Sequence, residues 1–356
     1  MPYYVRLLKQ PQISKQNGKA AVVTALITIT TDLGDSFLAE DVQLDATVHF
    51  ARPATPLTTT VCWKASNREQ KIILGPLRQD LIDCPVQVSV RPASLVDADC
   101  LEGACIPKII SAWSPWFDSS SGKPVEKLVL RRFKTRRGPE LQIWEETGNS
   151  IARHIWDAAL AAIVEFQDSL THGSGNLLRH DDSSPFNVVE LGSGCGIVGI
   201  ALAQMMPNCS VLLTDLEEVR EIVQRNISTA QPAKNSQIEF HTLDWDEDLP
   251  EGIRARRHDL IFLSDCTYNC DALPALVETI RKLLDISPDA QVLVAWKKRC
   301  ESEMVFFDLM QSAGLAVRGR PSHRLQQSSS PESDDEETPR VQILRFGSLV
   351  HTGAPS

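Results

Sequence analysis

Paired cysteines are missing from this chain. Nine cysteines are scattered over 356 residues, and none shows the C-x-x-C spacing of a zinc or redox motif. An odd, dispersed set argues against a disulfide framework and for a reducing compartment. The expectation is therefore cytoplasm, nucleus or both, with no metal. No stretch approaches the ~18 consecutive apolar residues of a membrane-crossing helix, and Met1 to Gln10 lacks the apolar centre of a secretion signal. An excess of positive charge is missing too. The formal net charge is −10, which argues against bulk nucleic-acid binding. No internal repeat is present. What remains is an ordinary globular composition, 42% hydrophobic and 23% charged, with length for two domains.

The N-terminal third reads as β. Ala21–Thr30 is rich in β-branched residues, and Val42–Phe50 alternates apolar with polar. Further strand-like runs cover Thr58–Trp63, Lys71–Leu74, Val86–Val90, Lys127–Phe133 and Leu141–Glu145, with prolines between them that disfavour long helices. Arg131 to Arg137 carries five basic residues in seven. In a strand-like segment such a run reads first as a solvated edge that resists strand pairing; contact with nucleic acid, an acidic partner or an import receptor stays open.

The rest of the chain is organised around Phe186 to Met206. Phe186–Leu191 is a short apolar run suited to a buried parallel strand. Gly192, Gly194 and Gly196 allow a tight turn and close approach of a ligand, and Ile197–Met206 has helical spacing. A helix N-terminus beyond a glycine turn is a nucleotide-type site. The spacing is ambiguous: with Gly199 it fits a dinucleotide pattern, without it G-x-G-x-G. Ser210–Asp215 is a second strand whose terminal acid can bind a ribose diol or cap a helix. Ile238–Leu243 leads to Asp244 and Trp245, an acid and an aromatic suited to an adenine. A fourth strand from Asp259 ends at Ser264 and is followed by Asp265 and Tyr268, a carboxylate and a phenol in the crevice where doubly wound sheets bind ligands. An Asx-turn with an aromatic lid is the plainer alternative. Upstream, Ile155–Phe166 reads as a helix starting near Trp156.

Together, Glu190 through Gly196, Asp215, Asp244-Trp245, Asp265 to Tyr268, the Ile155 to Ala159 segment and Lys297-Lys298-Arg299-x-Glu301 resemble the seven-β-strand S-adenosylmethionine-dependent methyltransferases. Within them, the chain is similar to the methyltransferase-like protein-lysine methyltransferases. The likeness spans about 141–350 and does not extend to residues 1 to about 140. It implies an α/β, doubly wound Rossmann-like sheet of seven strands (141–350); the residue patterns themselves add an N-terminal β-rich accessory domain (1–140) and, from its polar acidic composition, a disordered insertion at 328–339. By that resemblance the cofactor would be S-adenosyl-L-methionine, held by Trp156, Glu190, Gly192, Gly194, Gly196, Asp215, Asp244, Trp245 and Ser264. Asp265 and Tyr268 would be the catalytic pair. The expected partner is a protein carrying the acceptor lysine; a monomer is expected, and nucleic acid and membrane are not. A small-molecule N-methyltransferase and a non-catalytic interaction protein that keeps the fold are the alternatives.

Overall fold

The computed structural model describes residues 2–15, 21–93, 99–101, 106–119, 124–148, 150–172, 178, 184–322 and 341–348. The chain divides into two compact units: Met1–Cys100, Pro107–Lys134 and Gln142–His154 form one, and Leu101–Ile106, Thr135–Leu141 and Ile155–Ser356 the other.

The first unit is built from β1 (Tyr3–Lys15), β2 (Ala21–Thr30), β3 (Val42–Phe50), β4 (Leu57–Trp63), β5 (Gln70–Leu74), β6 (Val86–Pro92), β7 (Cys100–Leu101), β8 (Ile109–Ile110), β9 (Ala112–Trp113), β10 (Leu128–Thr135) and β11 (Leu141–Glu146). They form a four-stranded sheet, β5-β2-β1-β8, and a seven-stranded one, β11-β10-β9-β6-β3-β4, with β7 beside β10. The alternation along β2 and β3 drives Val23, Ile27, Leu44 and Val48 into one core with Trp63 and Ile72. The sequence misses β1. Its apolar residues are broken by Lys9 and Pro11, and the structure absorbs the break in register shifts between Leu7 and Gln12.

The basic run needs a correction, because β10 lies inside the sheet and Arg131 is fully buried. Its guanidinium donates to Glu145 Oε1 at 2.7 Å, Val5 O at 2.8 Å and Ser111 O at 2.7 Å. Arg132 stacks 4.0 Å from the centroid of Trp113. Strand pattern alone does not separate a buried arginine with prepaid partners from a solvated one.

The second unit opens with α1 (Asp157–His172), which outruns the expected end at Phe166 because no glycine or proline interrupts it before Gly173. There follow β12 (Phe186–Leu191), α2 (Ile197–Met205), β13 (Cys209–Asp215), α3 (Arg220–Thr229), β14 (Gln237–Thr242), α4 (Glu251–Arg254), β15 (Leu260–Ser264), α5 (Leu273–Ile286), β16 (Gln291–Lys297), α6 (Val305–Ser312), β17 (Leu315–Ser322) and β18 (Val341–Ser348). The sheet order is β14-β13-β12-β15-β16-β18-β17, parallel except for β18, which runs antiparallel to both neighbours. This is the doubly wound seven-stranded sheet expected from the sequence. Val189, Leu191, Ile261 and Leu263 face a core shared with α5 and α6, while Val211 and Leu213 on the opposite face meet α2 at Gly199. The order reverses beside β12, so the loops after β12, β13 and β15 converge there. The acidic insertion at 328–339 lies outside the described residues.

Candidate active site

β12 is paired on both sides, to β13 and β15, so its end is a rigid platform for the glycine turn. Gly192, Gly194 and Gly196 sit at φ values of 63°, 55° and 79°, left-handed conformations that an L side chain rarely adopts. A Cβ on Gly192 would lie 2.6 Å from Cys266 Sγ and 3.4 Å from the Trp245 ring. The turn therefore needs glycine for both conformation and space. Gly199 has a different reason. Its Cβ would meet Leu213 Cδ2 at 2.5 Å and Glu190 Oε2 at 2.7 Å, which is close helix-to-sheet packing.

Glu190 is 2% exposed. Its Oε2 accepts from the Gly199 N–H at 2.8 Å, so the carboxyl points beneath the start of α2. Burial pushes its pKa up to about 8, against the pull of that N–H and with a further push from Asp215. Asp215 turns back onto the glycine turn, with Oδ2 accepting from Gly194 N–H and Oδ1 from Leu216 N–H, both at 2.7 Å. Burial raises its pKa as well. It is not a helix cap: the short 3₁₀ turn beyond it takes Leu216 as N-cap. Asp244 accepts from the Asp246 N–H at 3.1 Å, closing a tight turn that holds Trp245 out toward Gly192. Among the described residues, Ser193 Oγ, Trp245 Nε1 and Ser264 Oγ are buried with no hydrogen-bond partner.

Asp265 sits just past β15 with φ 52°, fixed by its N–H donating to Ala295 O at 2.9 Å. The sequence reading has this acid face an incoming ammonium. In the structure both carboxyl oxygens are engaged by the chain itself. Oδ1 accepts from Lys297 N–H at 3.2 Å, and Oδ2 from Arg299 Nη2 at 2.8 Å. Arg299 also lies 4.9 Å from the centroid of Trp156, so Trp156 reaches this side of the site through a cation–π contact. Next to Trp156, Asp157 pairs with Lys297 at 2.7 Å, both side chains buried. Tyr268 is 52% exposed, and partial burial raises its phenol pKa. Cys266 Sγ donates to Leu191 O at 3.3 Å, clamping the Asp265–Tyr268 turn against the glycine turn.

Arg299, Lys297, Asp157 and Cys266 are the residues that sequence reasoning leaves without a role. Arg299 and Lys297 stand in the family-like segment after β16, but nothing in their spacing says which acid each meets. Among the described residues no group of three or more His, Cys, Asp or Glu is placed to hold a metal, and no helix is long and apolar enough to cross a membrane.

A family model described as lysine methyltransferase matches residues 135–313, half of the chain. The chain is 29% identical over 314 residues to UPF0665 family protein C23C4.06c of Schizosaccharomyces pombe, covering 85% of this chain and 91% of that protein. It is 29% identical to EEF1A lysine methyltransferase 3 of Xenopus tropicalis, over 48% of this chain and 69% of the relative. Protein-lysine N-methyltransferase EFM6 of Saccharomyces cerevisiae is 30% identical, over 48% of this chain and 74% of that one. With its seven-stranded sheet and glycine turn, the chain belongs to the lysine methyltransferase family and is an S-adenosyl-L-methionine-dependent protein-lysine N-methyltransferase.

Proposed function

We propose that the crevice beyond β12, β13 and β15 holds S-adenosyl-L-methionine on its glycine side and presents the acceptor lysine on the side of Asp265 and Tyr268. The residues fit such a cofactor. Three buried polar atoms, on Ser193, Trp245 and Ser264, lack partners, and the space over Gly192 admits no side chain. In this reading Asp215 exchanges its backbone partners for ribose hydroxyls. Asp244 and Trp245 hold the adenine, while Glu190, Gly194, Gly196 and Trp156 shape the remainder. When bound, the cofactor supplies a sulfonium methyl, and the protein's work is positioning in a dry site.

The observation that carries the proposal is the Cys266 contact to Leu191 O, which brings the Asp265–Tyr268 turn against the cofactor turn. A lysine ammonium must lose a proton before it can accept a methyl, and burial lowers its pKa. Tyr268 gives it an aromatic wall and a phenol that stays protonated. Asp265, held by Arg299, fixes the start of the turn that carries that wall. The same proposal makes residues 1–140 an accessory platform for the protein partner and the chain a monomer. The cysteine pattern supports cytoplasm or nucleus.

Asp265→Asn keeps the shape and removes the charge. Methyl-labelled cofactor and cell lysate, with EEF1A as the first purified acceptor because relatives are named for it, give the readout. Label entering protein is expected to fall about 100-fold, while S-adenosylhomocysteine affinity by calorimetry holds within about threefold. Transfer at the wild-type rate would refute the assignment.

A further inference from the structure

One buried carboxylate ties together the loops on the acceptor side. Glu303 is 1% exposed and belongs to the short 3₁₀ turn Glu301–Met304 that precedes α6. Its Oε1 accepts from the N–H groups of Arg299 and Cys300 at 3.1 and 3.3 Å. Those bonds alone would be an ordinary capping arrangement for the turn. Oε2 does something a cap does not require. It accepts from Thr267 Oγ1 and from Trp296 Nε1, both at 2.8 Å. Thr267 lies between Asp265 and Tyr268 and is itself 1% exposed. Glu303 thus grips the acceptor turn after β15 with one oxygen, and with the other the backbone of Arg299, whose guanidinium holds Asp265. Glu301, the acid in the family-like sequence pattern, is 84% exposed and pairs with Lys298.

We propose that Glu303 is the positioning residue of the acceptor side, fixing Tyr268 through Thr267 and Asp265 through Arg299. This rests on the placement of the acceptor lysine at Asp265 and Tyr268. The physical case is one of counting. Five donors converge on two oxygens, and three of them are N–H groups that can only donate, one on Oε2 and two on Oε1, so a side chain with a single acceptor oxygen cannot satisfy them all. Glu303→Gln keeps the volume but, with its oxygen toward Arg299 and Cys300, puts an NH₂ against the Trp296 N–H, which can only donate. The turn must shift, and a displacement of about 1 Å can cost on the order of 100-fold in rate.

The test uses the full chain, methyl-labelled S-adenosyl-L-methionine and cell lysate. For Glu303→Gln, kcat for protein methylation is expected to fall about 10- to 100-fold, while the cofactor KM and calorimetric affinity for S-adenosylhomocysteine stay within about twofold. Thr267→Val should follow Glu303→Gln, and Thr267→Ser, which keeps the hydroxyl, should fall far less. Wild-type kcat in Glu303→Gln would overturn the inference. So would a parallel loss of cofactor affinity and melting temperature, which would make Glu303 a scaffold residue. Transfer by the unaltered chain that is indifferent to Asp265→Asn would instead overturn the functional reading beneath it.

Discussion

A carboxyl under the first turn of a helix has few ways to be charged. Glu190 has one backbone N–H and an acidic neighbour, and its pKa is pushed up to about 8. In the unfolded chain it titrates near 4.5. Between those values the unfolded chain releases a proton that the folded chain keeps, so stability falls as pH rises. The contribution is fully present below about 4.5 and lost by about 8, and it amounts to a few kcal/mol. Glu190→Gln is expected to flatten this part of the profile, seen as melting temperatures of wild type and variant that converge as pH is lowered from 8 toward 5. A wild-type melting temperature that rises across that window with no contribution from residue 190 would contradict the placement. Asp265 is handled the other way: a guanidinium and a backbone N–H occupy its two oxygens.

At the scale of elements, α2 shows what the glycine pattern is for. Inside a helix, alanine is ordinarily preferred to glycine by about 0.5–1 kcal/mol. At position 199 that preference is reversed by space, because a methyl would sit within 2.7 Å of Leu213, Val211 and Glu190 atoms. Gly199→Ala is expected to destabilise the second unit by about 1–3 kcal/mol, measured as a lowered urea midpoint at unchanged slope. An increase in stability would mean that α2 can lift from β13 freely. Gly192→Ala acts at another point, since it blocks the space over the turn and meets Cys266. Its effect should appear in cofactor affinity before it appears in stability.

Over the molecule as a whole, each unit is closed by contacts between residues far apart in sequence. In the first, Arg131 joins Val5, Ser111 and Glu145, pulling β1, the segment between β8 and β9, β10 and β11 together. Burial alone would raise the Glu145 pKa. The Arg131 guanidinium and His154 outweigh it and hold the group down to about 2. That stability is present above about 4.5 and lost as pH falls toward about 2. Arg131→Met removes the guanidinium from a buried Glu145 and is expected to cost about 3–5 kcal/mol. The double change Arg131→Met with Glu145→Leu should recover much of it. If the double variant is as unstable as the single one, the value of Arg131 lies in its bonds to Val5 O and Ser111 O rather than in the charge pair.

By itself the sequence determined the order and kind of most elements, because periodicity and turn chemistry are local, but it missed β1, the two-residue strands β7, β8 and β9, and the single-turn α4. Phe186–Leu191, Cys209–Asp215 and Leu260–Ser264 fall within a residue of expectation. It also marked Gly192, Gly194, Gly196 and Asp215 as candidates, because glycines at positive φ and acids at strand ends carry their reasons in their own positions. Tertiary structure decided the pairings. Which acid meets Arg299, whether Arg131 is wet or dry, and that Glu303 rather than Glu301 reaches Thr267 all depend on strands β10, β15 and β16 being placed beside their neighbours. The physical reason is that a hydrogen bond or ion pair takes its strength from burial and partner geometry. Both are set by chain segments up to 140 residues apart, as for Asp157 and Lys297, and neither leaves a mark on local spacing.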